Sequence, residues 1–204
     1  MSPPITRPAL LLLDFDDVLA DFAARQRDRV LAQALDLDPA CITQAMAVLQ
    51  QSAGKAHSHD SLHERLQAHL GLAIDPAQWH HARMSATSVR GDSRQLLTQL
   101  HPDCQLAILS NNPAALATPI AAALDLAGLP AARVLTSGAL GLRKPDPACF
   151  QAALAHLRSA PAQTLFIDNL FRNVRGARAA GLMADTAHHA QSLRRVLKRH
   201  HLLR

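Results

Sequence analysis

Three carboxylates arrive almost together near the start of the chain, at Asp14, Asp16 and Asp17, directly after the apolar run Leu10-Leu11-Leu12-Leu13. Such a run suits a strand buried on both faces of a parallel sheet, and strands of that kind carry their ligands at the carboxyl end, where Asp14 and Asp16 fall. Acid crowded at the tip of a buried strand is costly unless a cation sits beside it. Two more apolar stretches end in polar residues: Thr164–Asp168 closes on an acid, and Gln105–Ser110 runs into Asn111 and Asn112. In a parallel sheet all three ends open on one edge, so Asp14 and Asp168, more than 150 positions apart, meet in one crevice. One such strand end alone means little, because Asp and Ser commonly begin turns. Three together predict a site.

The elements that would position these residues fall into two blocks. After the first strand the pattern turns helical and shows no second strand before residue 100. Asp21–Leu35 has its apolar residues at helical spacing, Asp38-Pro39 opens the next helix, and Ile42–Gln51 continues it. Ser58–Leu70 reads as a third helix, with Ser61 and Glu64 at capping-box spacing and Gly71 closing it. A fourth starts at Asp75-Pro76 and runs to about Met84, and the polar stretch Ser85–Asp92 returns the chain. From residue 92 helix and strand alternate: helices at Asp92–Leu100, Pro113–Leu124, Pro147–Leu157 and Val174–Ala180, strands at Gln105–Ser110, Arg133–Thr136, Thr164–Asp168 and Leu182–Ala184. Repeated βαβ units imply a parallel sheet with right-handed crossovers. Residues 1–19 and 89–204 are therefore assigned to an α/β core and residues 20–88 to an inserted helical block.

The composition excludes several classes. With 204 residues and 49% hydrophobic content the chain can bury a full core. Five Phe, one Trp and no Tyr leave little to stack on bases, so a nucleic-acid partner is not expected. The net charge of +5 is matched in size by the tail: no acid follows Asp185, whereas Arg194, Arg195, Lys198, Arg199 and Arg204 are basic. Their i,i+4 spacing predicts a solvated basic face on a terminal helix. Cys41, Cys104 and Cys149 are too scattered for a ligand pair or disulfide framework, and reduced thiols are expected. The start of the chain has no signal-peptide pattern and the first apolar run is too short to span a bilayer, which predicts a soluble cytoplasmic protein with no membrane partner.

Four motifs in order resemble the haloacid dehalogenase-like hydrolases, most of which are Mg²⁺-dependent phosphatases. The first is the apolar run with Asp14-Phe15-Asp16-Asp17-Val18; the second is Ser110-Asn111 after a strand. The third is Gly141-Leu142-Arg143-Lys144-Pro145-Asp146-Pro147, with the family lysine at Lys144. The fourth is Phe166-Ile167-Asp168-Asn169, continuing through Asn173, Ala177 and Gly181. The resemblance spans nearly the whole core and implies a Rossmann-like parallel-sheet α/β fold with an all-helical type 1 cap.

It also implies roles. Asp14 would be the nucleophile, forming an aspartyl-phosphate, and Asp16 the general acid and base. Ser110, the Asn111 backbone N–H and Lys144 would cradle the phosphoryl oxygens. Mg²⁺ would be held by the Asp14 and Asp168 side chains and the Asp16 carbonyl. The presence of Asp16 separates the chain from the dehalogenase branch, where a halide leaves without a proton. Two positions depart from the common pattern: Asp17 stands where Gly is frequent, and Asn169 where a second Asp is frequent. Asn169 keeps the shape and loses a charge, implying weaker or altered metal binding, with Asn169 acting behind the metal ligands on a bound water or on Lys144.

The family's cap carries specificity, and within 20–88 the polar residues Arg25, Lys55, His57, His59 and Arg65 could meet a substrate or simply be solvated. The His57/His59 pair has no third ligand nearby and makes a poor zinc site. The layout looks most like the bacterial sugar-phosphate phosphatases, so the substrate implied is a small soluble phosphomonoester. Two other readings share these residues: a phosphosugar mutase, and a catalytically weak binding or regulatory protein.

Overall fold

The computed structural model describes residues 7–52, 62–126, 129 and 133–204. The expected helix start at Ser58–Ser61, with its capping serine, and Lys55, His57 and His59 lie outside these residues. By contacts the chain divides into two compact units, Met1–Asp21 with Val89–Arg204, and Phe22–Ser88.

The first unit is built on a five-stranded parallel sheet. β1 (Leu10–Leu13) is central, flanked by β4 (Gln105–Ser110) and β6 (Thr164–Asp168), with β5 (Val134–Thr136) and β7 (Met183–Thr186) at the edges. The four leucines of β1 are each at most 2% exposed, which explains a run with no alternation: both faces of the sheet are covered. Leu10 and Leu12 pack with Ala107, Leu109 and Phe166 of the neighbouring strands. The same cluster takes in Phe150 and Leu154 of α8 (Pro147–Leu157) and Val174 and Ala177 of α9 (Phe171–Ala179). The order β5-β4-β1-β6-β7 reverses direction beside β1, between it and β6. Open α/β sheets bind ligands at the carboxyl ends flanking such a reversal.

Among the described residues four helices lie between β1 and residue 86: α1 (Ala24–Ala34), α2 (Pro39–Ser52), α3 (Leu62–Leu70) and α4 (Pro76–Ser85). Leu31, Ile42, Met46, Leu66, Ile74 and Trp79 form a separate apolar core in this unit. Asp75 caps α4 through the Ala77 N–H, and Gly71, at φ +65°, closes α3 in the left-handed conformation that glycine reaches without strain. Of the polar residues singled out here, Arg25 is exposed and Arg65 donates to the Leu49 carbonyl at 2.7 Å.

The sequence pattern missed one element of this stretch. β2 (Ala20–Phe22) and β3 (Thr87–Val89) pair as a two-stranded ribbon where the chain leaves and re-enters the sheet-bearing unit. Three residues per strand are too few to show a two-residue period.

In the sheet-bearing unit the returning chain forms α5 (Gly91–Leu97), and β4 is followed by a 3₁₀ turn at Ala114–Leu116 and then α6 (Ala117–Leu124). A short α7 (Ser137–Leu140) follows β5, capped by Thr136 through the Ala139 N–H. The last helix, α10 (Ala190–Arg199), buries Leu193, Val196 and Leu197. Its basic residues are exposed as expected, with Arg199 and His200 reaching Asp185 at 3.4 and 3.1 Å. No helix among the described residues is long and apolar enough to cross a membrane.

Candidate active site at the carboxyl edge of the sheet

β1 and β6 end level with each other: Leu13 pairs with Ile167, the Asp14 N–H donates to the Ile167 carbonyl at 2.9 Å, and Asp168 is the next residue of β6. Both carboxylates are buried, and the cation they need lies between them. Lys144 Nζ is 2.9 Å from Asp14 Oδ1 and 2.8 Å from Asp168 Oδ2, with the lysine only 2% exposed. Burial works against the lysine's charge, but the two carboxylates outweigh it and hold the ammonium above its ordinary range. The Asp14 carboxyl is pushed up to about 7, chiefly by burial; Lys144 pulls it down and Asp168 pushes it the same way as burial.

The loop carrying Lys144 is pinned from two sides. Asn111 grips the lysine's own backbone, its Oδ1 accepting from the Lys144 N–H and its Nδ2 donating to the Lys144 carbonyl, both at 3.0 Å. Behind the loop, α9 comes so close that a Cβ on Gly176 would lie 1.9 Å from the Pro145 carbonyl oxygen. Lys144 Nζ also lies 5.3 Å from the centre of the Phe166 ring.

Asp168 is held by three donors. Its Oδ2 accepts from Lys144 and from Asn173 Nδ2 at 2.9 Å, and its Oδ1 from the Leu170 N–H at 2.8 Å. Asp14 Oδ1 accepts from the Phe15 N–H at 2.7 Å as well as from Lys144. After Asp14 the chain folds into a tight turn, with the Leu19 and Ala20 N–H groups donating to the Phe15 carbonyl at 2.9 and 3.1 Å. Asp16 is partly exposed in this turn, and its Oδ2 accepts from Asn112 Nδ2 at 3.1 Å. Asn112 Nδ2 also donates to Ser110 Oγ, fully buried at the end of β4, at 2.6 Å.

Asp14, Asp16, Ser110, Asn111, Lys144 and Asp168, chosen from sequence, thus come together, and Asn169 stands at the rim on Asp17 rather than on Lys144. Three residues given no part from sequence also belong to the cluster. Asn112 and Asn173 each bond a site carboxylate; Asn112 directly follows the second motif and Asn173 lies in the fourth, and an Asn just past a motif strand end is the signal that could have found them. Arg90 ties the turn to its surroundings, donating to the Asp17 and His188 carbonyls at 2.7 and 2.9 Å and through Nε to Asp21 at 2.8 Å. Nothing in its sequence context announces that.

A family model described as a haloacid dehalogenase-like hydrolase matches residues 8–181. The chain belongs to the haloacid dehalogenase-like hydrolases. A 52-residue stretch is 46% identical to the phosphoserine phosphatase of Thermus thermophilus, covering 25% of this chain and 21% of that protein, so the match spans about a fifth of the relative's length. Among solved structures, the fold is similar to a Bacillus subtilis hydrolase of the same superfamily, YfnB, bound to magnesium. Its TM-score is 0.70 at 18% identity, with 95% of this chain and all of that one (100%) covered. It is also similar to the 2-haloacid dehalogenase of Pseudomonas syringae, with a TM-score of 0.61 at 20% identity over 93% and 98% of the two chains. At these identities the structural likenesses establish the shared fold of the haloacid dehalogenase-like hydrolases and do not choose between their chemistries.

Proposed function

We propose that this hydrolase is a Mg²⁺-dependent phosphatase that cleaves a small phosphomonoester, a sugar phosphate being the class its motif layout suggests, through an aspartyl-phosphate on Asp14. The observation that carries the reading is the buried Asp14–Lys144–Asp168 cluster with Ser110 and Asp16 bridged beside it.

In the first step the Asp14 carboxylate attacks phosphorus and the bond to the leaving oxygen breaks, while Asp16 gives that oxygen a proton. Lys144, the Ser110 hydroxyl and the Asn111 N–H stabilise the charge on the transferring phosphoryl oxygens. In the second step Asp16 takes a proton from water as the water attacks the same phosphorus. Phosphate leaves and the Asp14 carboxylate is restored. Asp16 is what favours this chemistry over halide displacement, which requires no proton at the leaving group.

The residues present fit a hard cation. Among the described residues Asp14 Oδ2 accepts from no protein donor, whereas Asp14 Oδ1 and both Asp168 oxygens already do. One lysine serves two buried carboxylates, leaving them one negative charge in excess. Among the described residues no set of three His, Cys, Asp or Glu side chains gathers for a metal. Mg²⁺ needs no such set: the Asp14 and Asp168 carboxylates, the Asp16 carbonyl and water would hold it. When bound it supplies charge neutralisation between nucleophile and phosphate. The Phe22–Ser88 unit, as the family's cap, is assigned substrate selection.

A phosphate-release screen over phosphorylated metabolites, with Mg²⁺ and with chelator, tests the reading beside an Asp14→Asn control and a 2-haloacid arm. Phosphate release that requires both Mg²⁺ and Asp14, with no isomerised product, supports it and separates the phosphatase from a mutase. Halide release in place of phosphate release, or activity indifferent to Asp14→Asn, overturns it.

A further inference from the structure

Asn112 is 6% exposed and spends its amide nitrogen on two groups with different work: 2.6 Å to Ser110 Oγ and 3.1 Å to Asp16 Oδ2. The residue is itself braced from behind. Its backbone carbonyl accepts from the Gly138 N–H at 3.1 Å and from Ser137 Oγ at 3.3 Å, at the start of α7. Gly138 permits that approach, since a Cβ there would sit 2.6 Å from the Ala114 nitrogen. The amide orientation follows from its neighbours, because an amide oxygen turned toward Asp16 would face a carboxylate oxygen.

We infer that Asn112 is a positioning residue that couples the proton-transfer side chain, Asp16, to the phosphoryl-binding hydroxyl of Ser110. The inference rests on the phosphatase reading. A hydroxyl has one hydrogen to give, and with Asn112 occupying its acceptor side the Ser110 O–H is free to donate to a phosphoryl oxygen. Asp16 sits in a turn at the partly exposed rim, where a carboxylate side chain has several rotamers available. The bond from Asn112 holds Oδ2 and so restricts where the Asp16 carboxyl can deliver its proton. One rigid amide therefore sets the distance between the group that binds phosphate and the group that protonates what leaves it, a spacing on which proton transfer depends steeply.

The two halves of that role separate by leaving group. A dinitrophenolate departs without a proton, whereas an alkoxide needs one, so mispositioning Asp16 harms alkyl phosphates selectively. Losing the Ser110 contact harms all esters alike. The test measures kcat/KM, which reports aspartyl-phosphate formation, for alkyl phosphates and dinitrophenyl phosphate with Mg²⁺ in the full-length parent, Asn112→Ala, Asn112→Asp and Ser110→Ala proteins. The Asn112 variants are expected to lower the alkyl-to-dinitrophenyl ratio by about tenfold, a fraction of the 10²–10⁴ that general acid catalysis supplies. Ser110→Ala is expected to leave that ratio within about twofold of the parent. Asn112→Asp preserves the side chain's volume and turns an oxygen on Asp16, so it serves if the alanine variant folds poorly. Crystal structures of the variants form an arm independent of turnover, and there the Asp16 carboxylate is expected to leave its place beside β4. An unchanged ratio, or an Asp16 side chain still in place without Asn112, overturns the inference. A parent that releases phosphate from no ester overturns the phosphatase reading instead, and the position of Asp16 in the variant structures then decides the role of Asn112 alone.

Discussion

Asp17 and Asn169, the two positions at which the chain departs from its family's common motifs, face each other, with Asn169 Nδ2 3.4 Å from Asp17 Oδ2. Asp17 has φ +58°, the left-handed region that explains why glycine is frequent at this place in relatives. An aspartate at 169 would set two carboxylates against each other; the asparagine turns a repulsion into a hydrogen bond. The departures thus compensate one another. Asn169→Asp alone is expected to destabilise the protein by about 0.5 kcal/mol, the scale of an exposed charge pair. Asp17→Gly is expected to stabilise by about as much through relief of the backbone. Combined, the two should exceed the sum of the singles by a coupling of about 0.5 kcal/mol in a double-mutant cycle followed by urea unfolding. Strict additivity would show that the pair does not interact.

The buried lysine gives a larger effect. Lys144→Met leaves Asp14 and Asp168 facing each other with no cation, and removing one partner of a buried ionic cluster costs about 3–5 kcal/mol. The pH dependence has a definite sign. Lys144 pulls the Asp14 carboxyl down, so without the lysine Asp14 stays raised above its unfolded value, and the variant's stability is full at low pH and is lost as pH rises through the folded value. Burial already lifts Asp14 to about 7 with the lysine present. Denaturation in chelator should therefore show a deficit against the parent that is large at pH 7.5 and smaller at pH 5. A deficit independent of pH would mean that packing, not charge, is what the lysine supplies.

How much of this was legible beforehand differs residue by residue. β1 could be read directly, because a strand covered on both faces must be apolar throughout and can carry its first acid only at its end. The start of α9 could not. Leu170 and Phe171 look like a continuation of β6, and no side chain caps the helix in the usual way; the cap is Asp168 itself, whose Oδ1 takes the Leu170 N–H. The ribbon of β2 and β3 was hidden by shortness. For Lys144 the family motif named the residue, but the grip of Asn111 on its backbone and the approach of Gly176 are tertiary relations with no local pattern.

Gly176 offers a way to move the lysine without touching it. An alanine methyl here would run into the Pro145 carbonyl, 2.8 Å from its carbon, and that backbone cannot rotate away as a side chain would, so either α9 or the Lys144 loop must shift. Gly176→Ala is expected to cost about 2–3 kcal/mol, as overpacking in a tight interior does, and to lower hydrolase activity with it. Gly91→Ala is the control: no atom of the described residues lies within 4 Å of the added carbon, and stability should stay within about 0.5 kcal/mol. A Gly176→Ala protein as stable as the Gly91→Ala protein would show that the contact between α9 and the loop is looser than the structure has it.

The three cysteines should divide by environment. Cys41 is exposed, while Cys104 and Cys149 are buried, and burial pushes each of these two thiols up to about 11 from an ordinary value of 9.0. Cys149 points its Sγ at the Leu142 carbonyl, 3.5 Å away, in the loop that leads to Lys144. The thiolate is the reacting species, so at pH 8 an aromatic disulfide reagent should modify one thiol of the native protein quickly and all three after denaturation. Because the folded values lie above the unfolded ones, the protonated thiols contribute stability that is complete below pH 9 and is lost as pH rises through about 11. Unfolding titrations should then show a fall in stability between pH 9 and 11 that is shallower in Cys104→Ala and Cys149→Ala than in the parent. Cys41→Ala should change the native thiol count by one and leave that slope alone. Rapid native labelling of two or three thiols at pH 8 would mean that the core around α8 opens on the timescale of the reaction.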